Sequence, residues 1–132
     1  MQKVVIEMGP FLIEGDWEHF IKNINDYSMD GSDVGDYEDY DVAAEEMEKK
    51  TASFIMTNDL GVVTISGWVD SRIDEFIIED FSAEPTRIGL GRASLIQLKY
   101  EMDKINLSLA VGDETDEAKE FWTKMFEEGI IG

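Results

Sequence analysis

The chain contains no cysteine, two prolines and a single histidine in 132 residues. Without cysteine there is no disulfide framework, no thiolate metal site and no cysteine nucleophile. The lone His19 has no second imidazole with which to hold a metal, so it reads as a surface residue and no metal site is expected. Positive charge is also scarce: 11 Lys and Arg stand against 30 Asp and Glu, a formal net charge of −19. That balance argues against nucleic acid or an anionic membrane as a direct partner, because binding to phosphate depends on clustered cations. It favours cationic ligands or basic protein surfaces, with simple solubility as the plain alternative. No apolar run reaches the length of a membrane span, and the segment Met1-Gln2-Lys3-Val4-Val5-Ile6-Glu7 lacks a signal-peptide core. A cytoplasmic protein is the expectation.

What is present suffices for one domain spanning residues 1–132, since 43% of the residues are hydrophobic and a chain of this length holds one core rather than two. Residues 3–8 read as a strand on their β-branched run Val4-Val5-Ile6, broken by Gly9-Pro10. A helix starting at Gly15 or Asp16 carries Trp17, Phe20, Ile21 and Ile24 as one apolar stripe. A second helix is predicted over residues 41–50. Residues 52–57 and 62–69 form a hairpin about Asn58-Asp59-Leu60-Gly61, and a third strand covers residues 73–81. Strict alternation along that strand sends Glu75, Ile77, Glu79 and Phe81 to one face, and Phe76, Ile78 and Asp80 to the other. A helix over residues 92–104, a strand over 105–111 and an amphipathic helix over 114–127 complete the order β-α-α-β-β-β-α-β-α, a mixed α/β (α+β) domain around one sheet.

Two stretches carry chemistry. The run from Asp30 to Asp41 is dense in carboxylates and glycine and therefore a loop. Its spacing does not fit the calcium-binding EF-hand loop. It is either a solvated loop or a rim that attracts cations, and Tyr37 and Tyr40 beside Asp36 and Asp39 suit an amine-bearing ligand. The second stretch is Thr86-Arg87-Ile88-Gly89-Leu90-Gly91-Arg92, which joins the third hairpin-side strand to a helix. Glycines spaced by one residue before a helix N-terminus leave room for backbone amides to surround a phosphate. Arg87 and Arg92 would add charge there, or else bridge to nearby acids.

With these residues in view, the chain resembles the acyl-CoA-binding core of the GNAT superfamily of N-acetyltransferases over residues 53–127, most closely over 76–126. The glycine turn aligns with the family's R/Q-x-x-G-x-G/A loop, with Thr86 in place of the first Arg or Gln. Ala118-Lys119-Glu120-Phe121-Trp122-Thr123-Lys124 aligns with the family's A-x-x-F-Y-x-K. The resemblance implies acetyl-CoA as co-substrate, held by Arg87, Ile88, Gly89, Leu90, Gly91 and Arg92 at the pyrophosphate. Backbone groups near Phe81 and Ser82 would pair with the pantetheine arm, and Trp122 would pack near it. Glu75 or Glu79 would be the base that removes the amine proton. Trp122 stands where the family has a proton-donating tyrosine, Thr115 where it has asparagine and Phe126 where it has glycine. The family's C-terminal strands are shortened or absent, which would leave a sheet edge for a second subunit, a homodimer, to cover.

The function implied is transfer of an acetyl group from acetyl-CoA to a cationic amine: a polyamine, an aminoglycoside-like compound or a lysine of a basic protein. Asp36, Tyr37, Asp39 and Tyr40 would border the acceptor. The alternative is a GNAT-fold protein without catalysis, an acidic binder that docks on a basic partner or mimics nucleic-acid charge.

Overall fold

A computed structural model describes residues 10–29, 49–86, 89–112 and 118–132. The predicted strand at 3–8, the acidic loop with Asp36, Tyr37, Asp39 and Tyr40, and most of the predicted helix at 41–50 lie outside the described residues. So do Arg87, Ile88 and Thr115. Lys49 and Lys50 are helical.

The described chain runs β1 (Leu12–Gly15), α1 (Trp17–Lys22), a 3-10 turn (Ile24–Tyr27), β2 (Ser28–Met29), β3 (Ala52–Asn58), β4 (Gly61–Asp70), β5 (Glu75–Glu84), α2 (Leu90–Asp103), β6 (Ser108–Val111) and α3 (Lys119–Glu127). The strands form one mixed six-stranded sheet in the order β1-β3-β4-β5-β6, with β2 pairing parallel to the end of β4. β1, β3, β4 and β5 are antiparallel neighbours, whereas β5 and β6 run parallel across α2. The fold is therefore α+β with a mixed sheet.

The β3–β4 hairpin forms as the sequence indicates. Asn58 Oδ1 accepts from the amides of Leu60 (2.9 Å) and Gly61 (3.1 Å) and so closes the turn with a side chain. β1 was not anticipated. It pairs with β3 in register Leu12 to Thr57 through Gly15 to Phe54. α1 is shorter than its apolar stripe suggests: Phe20 is fully buried, Ile24 falls in the 3-10 turn and Ile21 is exposed. Asp16 does not cap its own helix. Its Oδ2 accepts from the Ser53 amide at 2.9 Å, and its own amide donates to the Ser53 carbonyl at 2.8 Å, which ties the start of α1 to β3.

On the core face of the sheet, Phe20, Phe54 and Phe76 meet with ring centroids 5.1–5.6 Å apart, a spacing that suits edge-on and offset aromatic contact. α2 adds Leu90, Leu95, Leu98 and Met102 to the same core. Gln97 is buried and fully satisfied: its Oε1 accepts from the Phe11 amide at 2.7 Å and its Nε2 donates to the Phe11 carbonyl at 2.8 Å. That clamp fixes the approach to β1 against α2. After α3 the chain returns to β6, where the Gly132 amide donates to the Leu109 carbonyl at 2.8 Å and Ile130 and Ile131 are buried. The β6 edge is thus met by the chain's own tail at that point.

Candidate functional site

The site begins with one extra residue in β5. Ser66 pairs with Asp80 and Gly67 pairs with Ile78, so Glu79 is opposed by no residue of β4 and forms a bulge. Gly67 sits opposite because nothing larger fits: a Cβ there would overlap the Ile77 carbonyl oxygen. The bulge switches the alternation. Before it, Phe76 and Ile78 are buried; after it, Phe81 and Ala83 pack against the core while Asp80, Ser82 and Glu84 are exposed. The strict alternation expected from sequence, with Phe81 on the face of Glu75 and Asp80 on that of Ile78, is corrected by this single insertion.

The bulge is also where β5 loses a neighbour. Among the described residues β6 pairs with β5 over residues 75–78, and the Gly112 amide donates to the Ile78 carbonyl at 2.8 Å. β6 ends at Val111, opposite Ile78. Along residues 79–84 the side of β5 turned away from β4 has no strand partner among the described residues. A cleft of about 710 Å³ opens there between β5, the start of α2 and α3, a size within the range of small-molecule sites.

Its floor is aromatic. Phe81 stacks on Phe121 (centroids 5.5 Å, planes 24° apart) and meets the Trp122 ring edge-on at 5.2 Å. Trp122, read from sequence as the replacement for a tyrosine, is buried among core residues and also lines the cleft. At the other end of the cleft lies the start of α2. Gly89 is its N-cap at φ +84°, in the left-handed region that glycine enters without steric cost. No side chain caps the helix and no acid occupies its first turn. Leu90 and Gly91 are buried, and a Cβ on Gly91 would sit 3.0 Å from the Phe81 ring, so the turn and the aromatic floor are packed together.

The candidate bases are separated by the bulge. Glu75 lies at the start of β5, paired on one side with Asp70 and on the other with Ser108, and does not line the cleft. Glu79 does line it. Its Oε1 accepts a hydrogen bond from the Trp68 indole N–H at 2.9 Å, and Gly112 leaves it space, since a Cβ there would lie 2.7 Å from the same oxygen. Ser82 lines the cleft in the exposed half of β5.

Arg92 faces an acid. Its Nη2 donates to Glu128 Oε1 at 2.8 Å and its Nε to both carboxylate oxygens at 3.1 Å. Those hydrogen bonds hold the Glu128 carboxyl below its ordinary pKa. Among the described residues the ionisable lining is otherwise Glu79, Asp80, Glu84 and Lys124, so carboxylates outnumber cations in the described lining.

His19 takes no part: its Nε2 lies 2.9 Å from Asp26 Oδ2 on the surface. Sequence reasoning missed Trp68 and Glu128, and the alternation it read along β5 placed no bulge at Glu79. The isolated Gly67 inside an otherwise apolar strand was the available signal for the last. Nothing in one sequence pairs Trp68 with Glu79 or Arg92 with Glu128, because both contacts depend on the fold. No family model, curated protein or solved structure matches this chain.

Proposed function

We propose that the cleft beside β5 receives the acyl-pantetheine arm of acetyl-CoA and that the chain is a GNAT-like N-acetyltransferase acting on a cationic amine. One observation carries the reading: the described pairing of β5 with β6 stops at the bulge, and the backbone of residues 79–84, without a second strand partner among the described residues, runs beside an aromatic cleft to the start of α2. An amide-containing arm pairs naturally with such an edge, as an added strand would. Phosphate at the far end would meet the amides of Leu90, Gly91 and Arg92 and the positive end of the α2 dipole.

Acyl transfer requires an unprotonated amine, a polarised carbonyl and a leaving thiolate. Glu79 is the base favoured by position, since it lines the cleft and Glu75 does not. The amine nitrogen attacks the thioester carbon, Glu79 takes the proton lost from nitrogen directly or through water, and the C–S bond breaks to release thiolate. Backbone N–H groups near Phe81 and Ser82 would polarise the carbonyl. Trp122 has no acidic proton to give the thiolate, so the leaving group departs unprotonated or takes a proton from solvent. The acidic protein field would draw a cationic acceptor toward the cleft.

The lining charge favours a second reading. With carboxylates outnumbering cations and Arg92 held by Glu128, the cleft suits a polyanionic donor less well than its shape does. An acidic, non-catalytic binder of a basic partner fits that balance. Calorimetric titration of acetyl-CoA separates the two when run on the natural chain and on Gly89→Glu, with circular dichroism confirming that both are folded. Saturable binding that Gly89→Glu abolishes, followed by thiol release with spermidine or a lysine peptide, supports the enzyme. Binding without turnover favours the second reading, and no binding by either the natural chain or Glu128→Gln rejects the donor cleft.

A further inference from the structure

Glu128 is placed against the preference of its own helix. It is the C-cap of α3, where the helix dipole presents partial negative charge and an acid is the unfavourable choice. What offsets that cost is Arg92, reached across the cleft mouth from the first turn of α2 by three hydrogen bonds at 2.8–3.1 Å. Arg92 and Glu128 both line the cleft and are both partly exposed, with side-chain exposures of 33% and 42%. A guanidinium fork receives the paired oxygens of a carboxylate as it would those of a phosphate.

We infer that Glu128 is a built-in competitor for the anion position of the cleft: its carboxylate occupies the Arg92 fork that a donor phosphate would use, and so sets how far the cleft favours phosphorylated donors over the bare pantetheine arm. This rests on the donor-cleft reading. A phosphorylated donor must break the Arg92–Glu128 pair and then lie beside a released carboxylate. An uncharged arm, seated along residues 79–84 and the aromatic floor, leaves the pair intact. Glu128 is thus the residue that determines donor specificity.

The test compares acetyl-CoA with S-acetyl-pantetheine, which has the same acyl arm and no phosphate, on the natural chain, Glu128→Gln, Arg92→Gln and the double variant. Gln keeps the size of Glu and removes its charge; circular dichroism checks the fold of each protein. Glu128→Gln is expected to tighten acetyl-CoA about two- to fivefold, the range set by the weak net strength of exposed ion pairs, and to leave S-acetyl-pantetheine unchanged. In the Arg92→Gln background the same change should give a smaller gain. If the natural chain binds acetyl-CoA and Glu128→Gln binds it no tighter, or if both ligands tighten equally, the role of Glu128 is overturned and the donor cleft stands. If neither the natural chain nor Glu128→Gln binds acetyl-CoA, the donor cleft falls and this role with it. Binding by Glu128→Gln alone supports both.

Discussion

β5 is two strands in one. Residues 75–78 lie between β4 and β6, while residues 79–84 keep β4, have no second strand partner among the described residues and line a cleft. The first half contributes Phe76 and Ile78, exposed by 0% and 1%, to the centre of the core. The second contributes Phe81 and Ala83, which are only partly buried. One strand therefore has a half paired on both sides and a half paired, among the described residues, on one side. The inserted Glu79 divides them, and without it the alternation would carry Phe81 to the opposite face of the sheet, away from Phe121 and Trp122.

Truncations on either side should reveal the contrast. Phe76→Ala is expected to cost about 3–5 kcal/mol in urea denaturation, as for a fully buried ring that leaves a cavity. Phe81→Ala should cost less, about 1–2 kcal/mol, because part of its ring faces the cleft and the loss is mainly that of the stack on Phe121 and Trp122. Equal losses would mean that the second half is as much core as the first. Trp68→Phe removes the indole N–H that holds Glu79 and should cost about 1 kcal/mol. In an acetyl-transfer assay it should also lower turnover more than it lowers acetyl-CoA affinity, since it disturbs the proposed base, Glu79, and not the aromatic floor.

The smallest effect is electrostatic. Hydrogen bonding to Arg92 holds Glu128 below its ordinary carboxylate value, and hydrogen bonding to Lys22 does the same for Glu18. A folded-state pKa lower than the unfolded one gives stability that is present above the ordinary value, 4.5, and is lost as pH falls through the lowered one. Urea midpoints measured at neutral pH and then progressively below 4.5 should therefore decline slightly less in Glu128→Gln than in the natural chain. An identical decline would show that the pair adds nothing to folding.

Much of this arrangement was legible beforehand, for identifiable reasons. The hairpin declared itself through Asn58 and Gly61, α2 through Leu95, Leu98 and Met102, and α3 through its strong amphipathic period, because each signal is local. β1 was not visible in Leu12-Ile13-Glu14-Gly15, since four residues next to a proline gain strand character only from pairing with β3. β5 is shifted along the chain from the expected 73–81 to Glu75–Glu84, because Ile73 belongs to the turn after β4 and β4 supplies partners as far as Val62. For the cleft, the glycine turn and the aromatic helix marked two walls. The bulge that turns Phe81 toward the cleft is a mismatch between β4 and β5 that neither strand records alone.

The most direct measurement is a nitrogen-edited amide NMR titration with acetyl-CoA. The predicted result is saturable shifts concentrated at residues 79–84 and 89–92, with Phe76, Ile77 and Ile78 nearly unmoved. The absence of any saturable shift, or shifts as large at residues 75–78 as beyond the bulge, would contradict the division of β5 into a structural half and a binding half.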